Sequence, residues 1–489
     1  MKKVTVKINI DEKIGTISPY IYGHFAEHIG GVIYDGVWVG NNSSIPNIRG
    51  LRPDIVEKLK RISPPIIRWP GGCFAECYDW RDGVGKDRPV RPSWWTRDDG
   101  RYESNEFGTH EFMDFCALVG AEPYLAVNVT SETPMDARNW IDYCNSPTGT
   151  TRLASERENN GSKEPFDVKF IGVGNENWGG GGTMCAEQYA WEYRKYATAL
   201  RNIAPNAKLI AGGANFHSIN WTKTFLECIK EGYGTPVQID GISFHYYFSG
   251  GDDASFDEEG WNSLILSAKK TEDHIKELVD LLCEHGRLGQ IKLYLDEWGA
   301  MYGSGVNAKE KNQLFRQQVT MRDAVASAMT LNLFNKYCYA IEMANIAQLA
   351  NCLSSLFLTD GDNCIETPIY HVFDMFKGHQ GAKAFRVECD DEDISASASH
   401  KDGKILLTFA NLSYSEDKEL YIDLADINAD QATLTLLSSN DLNAHNDFDV
   451  PDRIKPISYE IDALESIVIP KGSVVAISAP FKGEAELCN

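Results

Sequence analysis

The chain has 489 residues, 43% hydrophobic and 11% aromatic, enough for two or three domains with a large core and inconsistent with global disorder. Its formal net charge of −23 repels phosphate backbones and anionic lipid surfaces, so it argues against nucleic-acid and membrane partners and suits a neutral substrate. Twelve cysteines are scattered without paired C-x-x-C motifs, and no export signal or membrane-spanning run is read, so reduced thiols and a cytoplasmic location are expected.

Val4, Val6, Ile8 and Ile10 alternate with polar residues, which predicts an opening strand. A second strand is expected over 17–24, ending in Phe25, Ala26, Glu27 and His28. Residues 52–61 have helical spacing and lead into Pro65-Ile-Ile-Arg-Trp-Pro-Gly-Gly72, a strand ending in a charge and glycines. Helix 107–118, strand 122–129 and helix 135–145 follow, then a polar insertion over 146–165. The strand that begins at Val168 breaks at Gly174 and presents Asn175, Glu176, Asn177 and Trp178 before four glycines. Helix 185–203, strand 207–215, helix 220–231, strand 237–247, helix 261–286, strand 291–297, helix 309–330 and strand 339–345 complete the alternation.

Eight such strands from Ile17 onward predict an α/β chain built on a (β/α)8 TIM barrel. From about Ala384 the period changes to two, over 394–399, 405–409, 420–424, 432–436 and 473–477, which predicts a C-terminal antiparallel β-sandwich domain. The expected division is residues 1–16 joining the sandwich, 17–383 as the barrel and 384–489 as the sandwich.

A barrel gathers its C-terminal strand ends at one mouth, whatever their separation in sequence. The residues expected there are Glu27, Arg68, Asn128, Asn175, Glu176, His245, Tyr247, Glu297 and Gln348. In Leu293-Tyr-Leu-Asp-Glu-Trp-Gly299, strand alternation allows only one of Asp296 and Glu297 to face the axis. Glu297 is preferred, with Asp296 left to a helix-facing ion pair. Two carboxylates from the fourth and seventh strands fit glycoside hydrolysis, one protonating the leaving oxygen and the other attacking the anomeric carbon or activating water.

Gly174-Asn-Glu-Asn-Trp178 and Asp296-Glu-Trp-Gly299 resemble the strand-four and strand-seven signatures of retaining barrel glycosidases. His24-Phe-Ala-Glu-His-Ile-Gly30, Ile67-Arg-Trp-Pro-Gly-Gly72, Trp80-Arg-Asp-Gly-Val-Gly85, residues 105–113, Met343-Ala-Asn-Ile-Ala-Gln-Leu349 and Leu442-Asn-Ala-His-Asn446 extend the likeness nearly end to end. The chain resembles the α-L-arabinofuranosidases of glycoside hydrolase family 51. That resemblance implies a retaining, exo-acting enzyme that releases arabinose from arabinoxylan or arabinan oligosaccharides, with Glu176 as acid/base and Glu297 as nucleophile. It also implies that Asn175 meets the sugar 2-hydroxyl and that Glu27, Arg68, Tyr247 and Gln348 hold the sugar or the nucleophile. No cofactor or metal is implied, and a homo-oligomer, often a hexamer, is. One departure is Cys73, where the best-known members carry Asn; a thiol cannot make both amide hydrogen bonds.

Two other functions remain open at this stage: β-1,4-glucanase or xylosidase action on the same fold, and a non-catalytic carbohydrate-binding or assembly protein. His24-Phe-Ala-Glu-His28 matches a zinc-peptidase pattern, but that motif needs a helix and here it follows a strand. His245 reads as a hydrogen-bond partner of a carboxylate or the substrate. Trp94 and Trp95 read equally as sugar platforms and as loop or subunit packing.

Overall fold

The computed structural model describes residues 1–213, 218–230, 237–303, 314–424, 431–461, 464 and 466–481. The opening strand is β1 (Lys2–Thr16). It is followed by β2 (Gly23–Phe25), β3 (Ile66–Trp69), β4 (Glu122–Val127), β5 (Phe170–Val173), β6 (Lys208–Gly212), β7 (Gly241–Phe248), β8 (Lys292–Ala300) and β9 (Ile341–Ala347). Strands β2 to β9 are parallel neighbours in chain order, and β9 pairs back onto β2 to close a barrel. Helices alternate with the strands, as a parallel sheet requires of its crossovers.

The predicted strand over 17–24 is mostly a 3-10 turn, Pro19–Tyr22, and only Gly23–Phe25 is extended. Proline fixes φ and lacks the amide hydrogen that a ladder needs, so it opens a turn there. That turn drops Tyr20 onto the floor of the barrel. Ile66, Tyr124, Phe170, Ile210, Tyr294 and Met343, from six different strands, form an apolar layer against it. Above this layer the interior becomes polar, with Arg68, Asp296 and Asn345 buried. The charge therefore lies toward the C-terminal strand ends.

Several helices differ from their predicted bounds. The segment 261–286 is two helices, Glu258–Lys269 and Thr271–Glu284. The helix expected over 309–330 runs Met321–Lys336, capped by Thr320 and Asp323. Asn215, residue 231 and the start of the 309–330 segment lie outside the described residues. The polar insertion 146–165 contains a helix, Arg152–Asn159. Arg157 is buried there and donates to the carbonyls of Tyr143, Ser146 and Lys163 at 2.7, 2.9 and 3.2 Å. Among the described residues no helix is long and apolar enough to cross a membrane.

The C-terminal strands 383–389, 394–401, 404–411, 418–423, 432–437, 457–461, 467–469 and 474–480 join β1 in one nine-stranded sheet. β1 pairs antiparallel with 383–389 and parallel with 418–423, so the sheet is mostly antiparallel. Val4, Leu407, Leu420, Leu434, Ile467 and Ile477, drawn from across it, share one core. Sharing a core across its width requires the sheet to fold over on itself. Its other side packs on the helix Met321–Lys336, where Asn335 donates to Ser397 at 3.2 Å and Asn332 accepts from Thr408 at 2.7 Å.

Candidate active site

Glu297 ends inside the barrel mouth with both carboxylate oxygens occupied. Arg68 on β3 donates to Oε1 at 2.8 Å, and the Tyr247 hydroxyl on β7 donates to Oε2 at 2.9 Å. Arg68 spends its other terminal nitrogen on Asn175 Oδ1, 2.7 Å away. Burial pushes the Glu297 carboxyl up, but the charges of His245 and Arg68 and these hydrogen bonds outweigh it and hold the group below its ordinary range.

His245 stands between the two carboxylates. Its Nδ1 lies 2.9 Å from Glu176 Oε1 and 3.6 Å from Glu297 Oε2. Burial alone would lower the imidazole, yet the Glu297 and Glu176 carboxylates raise it. One oxygen of Glu176, one oxygen of Glu297 and a ring nitrogen of His245 all lie within 4.8 Å of one another. The set has the spacing of a cation site, but the Arg68 guanidinium already neutralises Glu297. The cluster is better suited to moving a proton than to gripping a metal.

Only Glu176 of the pair keeps an open side, with its side chain 23% exposed against 9% for Glu297. Its backbone sits at φ 43°, the left-handed region that a non-glycine residue enters at a cost. The turn around it holds that geometry: Gly179 and Gly181 amides donate to the Glu176 carbonyl at 2.7 and 3.1 Å. Gly72 is required by close approach, since a Cβ there would lie 2.5 Å from Glu297 Oε1.

Glu27 forms the opposite wall. Its Oε1 accepts from the Phe74 amide at 3.1 Å and Trp95 Nε1 at 3.2 Å, and its Oε2 from Gln348 Nε2 at 3.3 Å. Burial, and then the charge of Glu297, push the Glu27 carboxyl up to about 7. Cys73 lies in the turn Cys73–Cys77 beside these groups, close to Gly180 and Trp94. Burial and the surrounding carboxylates push its thiol up, so it stays a neutral SH. The expected residues Glu27, Arg68, Cys73, Asn175, Glu176, His245, Tyr247, Glu297 and Gln348 thus all converge at the mouth. Asn128 does not: its side chain bonds Ser131 in its own loop at 2.7 Å and donates to the Tyr78 carbonyl in the loop after β3 at 3.2 Å.

The register of β7 and β8 turns both Asp296 and Glu297 inward, where strand alternation predicts only one of them. β7 and β8 pair regularly up to Phe244 and Leu295, and then His245 pairs with Glu297. Asp296 is the extra residue of a bulge, which lets both side chains face inward. Asp296 is buried below the mouth and accepts from the Tyr124 hydroxyl at 2.8 Å, so it makes no helix-facing ion pair. The zinc-like motif also disperses. His24 is buried against Phe373, whereas His28 accepts from Trp69 Nε1 at 3.0 Å and meets Glu103 at 2.9 Å.

A sequence profile for the α-L-arabinofuranosidase 1 domain matches residues 58–250, and one for the α-L-arabinofuranosidase C-terminal domain matches 296–473. An intracellular exo-α-L-arabinofuranosidase of Bacteroides ovatus is 37% identical over 94% of this chain and 91% of its own length. The chain belongs to the α-L-arabinofuranosidases of glycoside hydrolase family 51. Among solved structures, the family 51 arabinofuranosidase of Xanthomonas axonopodis pv. citri superposes with a TM-score of 0.91 at 32% identity, covering 98% of this chain and all of the other. The Thermotoga maritima α-L-arabinofuranosidase, solved as an arabinose complex, gives 0.85 at 28% identity over 98% of this chain and 100% of its own.

Sequence reading of this family 51 chain missed two buried carboxylates in the loops of the barrel mouth, Glu76 and Glu103. Glu103 accepts from the Tyr34 hydroxyl and from the Asn105 amide at 2.7 Å, and with His28 it ties the Trp94–Trp95 loop to the barrel. Glu76 joins the turn after β3 to the loops after β4 and β5. Each sits in irregular backbone, where no period marks a buried side.

Proposed function

We propose that the protein is a retaining, exo-acting α-L-arabinofuranosidase that releases arabinose from arabinoxylan or arabinan oligosaccharides. The observation that carries the mechanism is the spacing of Glu176 and Glu297, with oxygens no more than 4.8 Å apart. Retaining glycosidases hold their carboxyl groups about 5 Å apart, whereas inverting ones need about 6.5–9.5 Å to admit water.

Glu297, kept ionised by Arg68, attacks the anomeric carbon as the bond to the leaving oxygen breaks. Glu176 delivers a proton to that oxygen, and a glycosyl ester on Glu297 results. Water then attacks the same carbon, gives its proton back to Glu176 and frees the Glu297 carboxylate. Tyr247 steadies the nucleophile, and His245 lies where it can pass the proton to or from Glu176. Asn175 Nδ2 is buried with no protein acceptor, which suits a donor to a sugar hydroxyl. Glu27, Gln348 and Cys73 form the remaining wall of the sugar pocket, and Trp94 a rim toward the departing group.

The relative from Bacteroides ovatus is named as intracellular and exo-acting, which supports the cytoplasmic setting and exo action proposed here. We take residues 17–383 as the catalytic barrel, with 1–16 and 384–489 forming the sheet domain, and a homo-oligomer as the working assembly. The deciding experiment is the anomer first released from an aryl α-L-arabinofuranoside, followed by NMR. Initial α-arabinofuranose supports retention; initial β-product overturns it.

A further inference from the structure

Glu76 is a buried carboxylate on the turn after β3, and its four hydrogen bonds join three loops of the mouth. Oε2 accepts from the amides of Val129 and Thr130, both at 2.8 Å, in the loop after β4. Oε1 accepts from the Asn175 amide at 2.6 Å and from Asn177 Nδ2 at 2.9 Å. Those last two residues flank Glu176 on either side. All four partners are donors, so an acceptor-only group is required. Burial opposes the charge and pushes the carboxyl up, while the backbone donors work against that rise.

We propose that Glu76 is the positioning residue of the acid/base, clamping Asn175 and Asn177 so that Glu176 is held in its left-handed backbone with its carboxyl on His245. Glu76 is too encased to touch a sugar, and it acts through Glu176. This rests on the reading of Glu176 as acid/base. A glutamine at this position puts an NH2 against two N–H donors, so an isosteric change still breaks half the clamp.

The test compares kcat/KM, which reports the first half-reaction, for phenyl and dinitrophenyl α-L-arabinofuranosides. The phenyl leaving group needs a proton and the dinitrophenyl group does not. E76Q is expected to lose about a hundredfold on the phenyl substrate, within the range that general acids supply. On the dinitrophenyl substrate it should stay within about fivefold of the parent. N177A, which leaves Glu76 in place but removes the Nδ2 donor that Glu76 shares with the Gly181 carbonyl, should show the same split to a smaller degree; if E76Q fails to fold, no split in N177A overturns the proposal. Equal losses on both substrates, or none on either, would overturn the proposal. E176A run in parallel separates the two ideas. A split in E176A without one in E76Q or N177A removes Glu76's role alone, whereas no split in E176A removes the acid/base reading itself.

Discussion

The Arg68 guanidinium donates to the Glu297 carboxylate at 2.8 Å with both side chains buried. Burial by itself would favour the neutral acid, so the low position of Glu297 depends on its cationic neighbours. Replacing Arg68 with Met removes one of them. The acid limb of the kcat/KM profile, where the nucleophile takes up a proton, then moves to higher pH. Activity at neutral pH falls by about a hundredfold, the roughly 3 kcal/mol that a hydrogen bond to a charged group is worth. An unchanged acid limb in R68M would contradict this account.

Glu297→Ala is expected to lower kcat/KM by at least about a thousandfold, on the order of 4 kcal/mol. Azide is small enough to enter the space left by the side chain. It should restore turnover of an activated arabinofuranoside and give the azide of inverted configuration. Glu176→Ala should instead yield the retained azide, because Glu297 still forms the ester. The two product configurations, read by NMR, assign the roles without reference to rate.

Glu27 titrates at about 7, raised by burial and by the charge of Glu297. Above that pH it is an anion and the stronger acceptor for a sugar hydroxyl; below it the carboxyl is neutral. KM for an aryl arabinofuranoside should therefore rise as the pH falls through about 7. Glu27→Gln is expected to hold KM high and nearly flat across the same range. Steady-state kinetics from pH 5.5 to 8.5 check this, and a parallel slope in the variant would refute it.

His379 sits in the seam between the barrel and the sheet, bonded to Ser399 at 2.7 Å and Thr408 at 3.0 Å. Burial lowers its imidazole to about 3. The unfolded chain takes up a proton below about 6.5 and the folded one does not, so stability present above 6.5 is lost as the pH falls toward 3. At pH 4.5 the loss is roughly 2–3 kcal/mol, two units at about 1.4 kcal/mol each. His379→Gln should be less stable than the parent at pH 7.5 yet show a shallower decline from 6.5 to 4.5. Urea denaturation at a series of pH values measures both.

Much of the fold was legible because buried parallel strands read as short apolar runs, and Ile66–Trp69 or Phe170–Val173 need no partner to be recognised. Period two marked five of the eight C-terminal strands and left 383–389, 457–461 and 467–469 unread. It told which residues share a face, but not what that face meets: Ser397 and Ser399 of the strand 394–401 face a helix and a histidine. The start of the second strand was misread because Ile17 to Tyr22 is apolar enough for a strand, whereas Pro19 turns it. The single helix predicted over 261–286 hid a break at Lys270 that hydrophobic spacing does not register.

What the sequence determined alone is the order of the strands and the polar residue at the end of each barrel strand but the fifth, since both are local patterns in side-chain type. Closure of the barrel decided everything that depends on distance. It set Glu176 and Glu297 on one imidazole, and the bulge at Asp296 undid the alternation by which that residue was expected to face away from the axis. Glu76 was out of reach of any pattern, because its partners lie 53 to 101 residues away and meet it only where three strand ends converge. Hydrogen bonds between loops follow from the packing of the whole barrel, and no short stretch of chain carries that information.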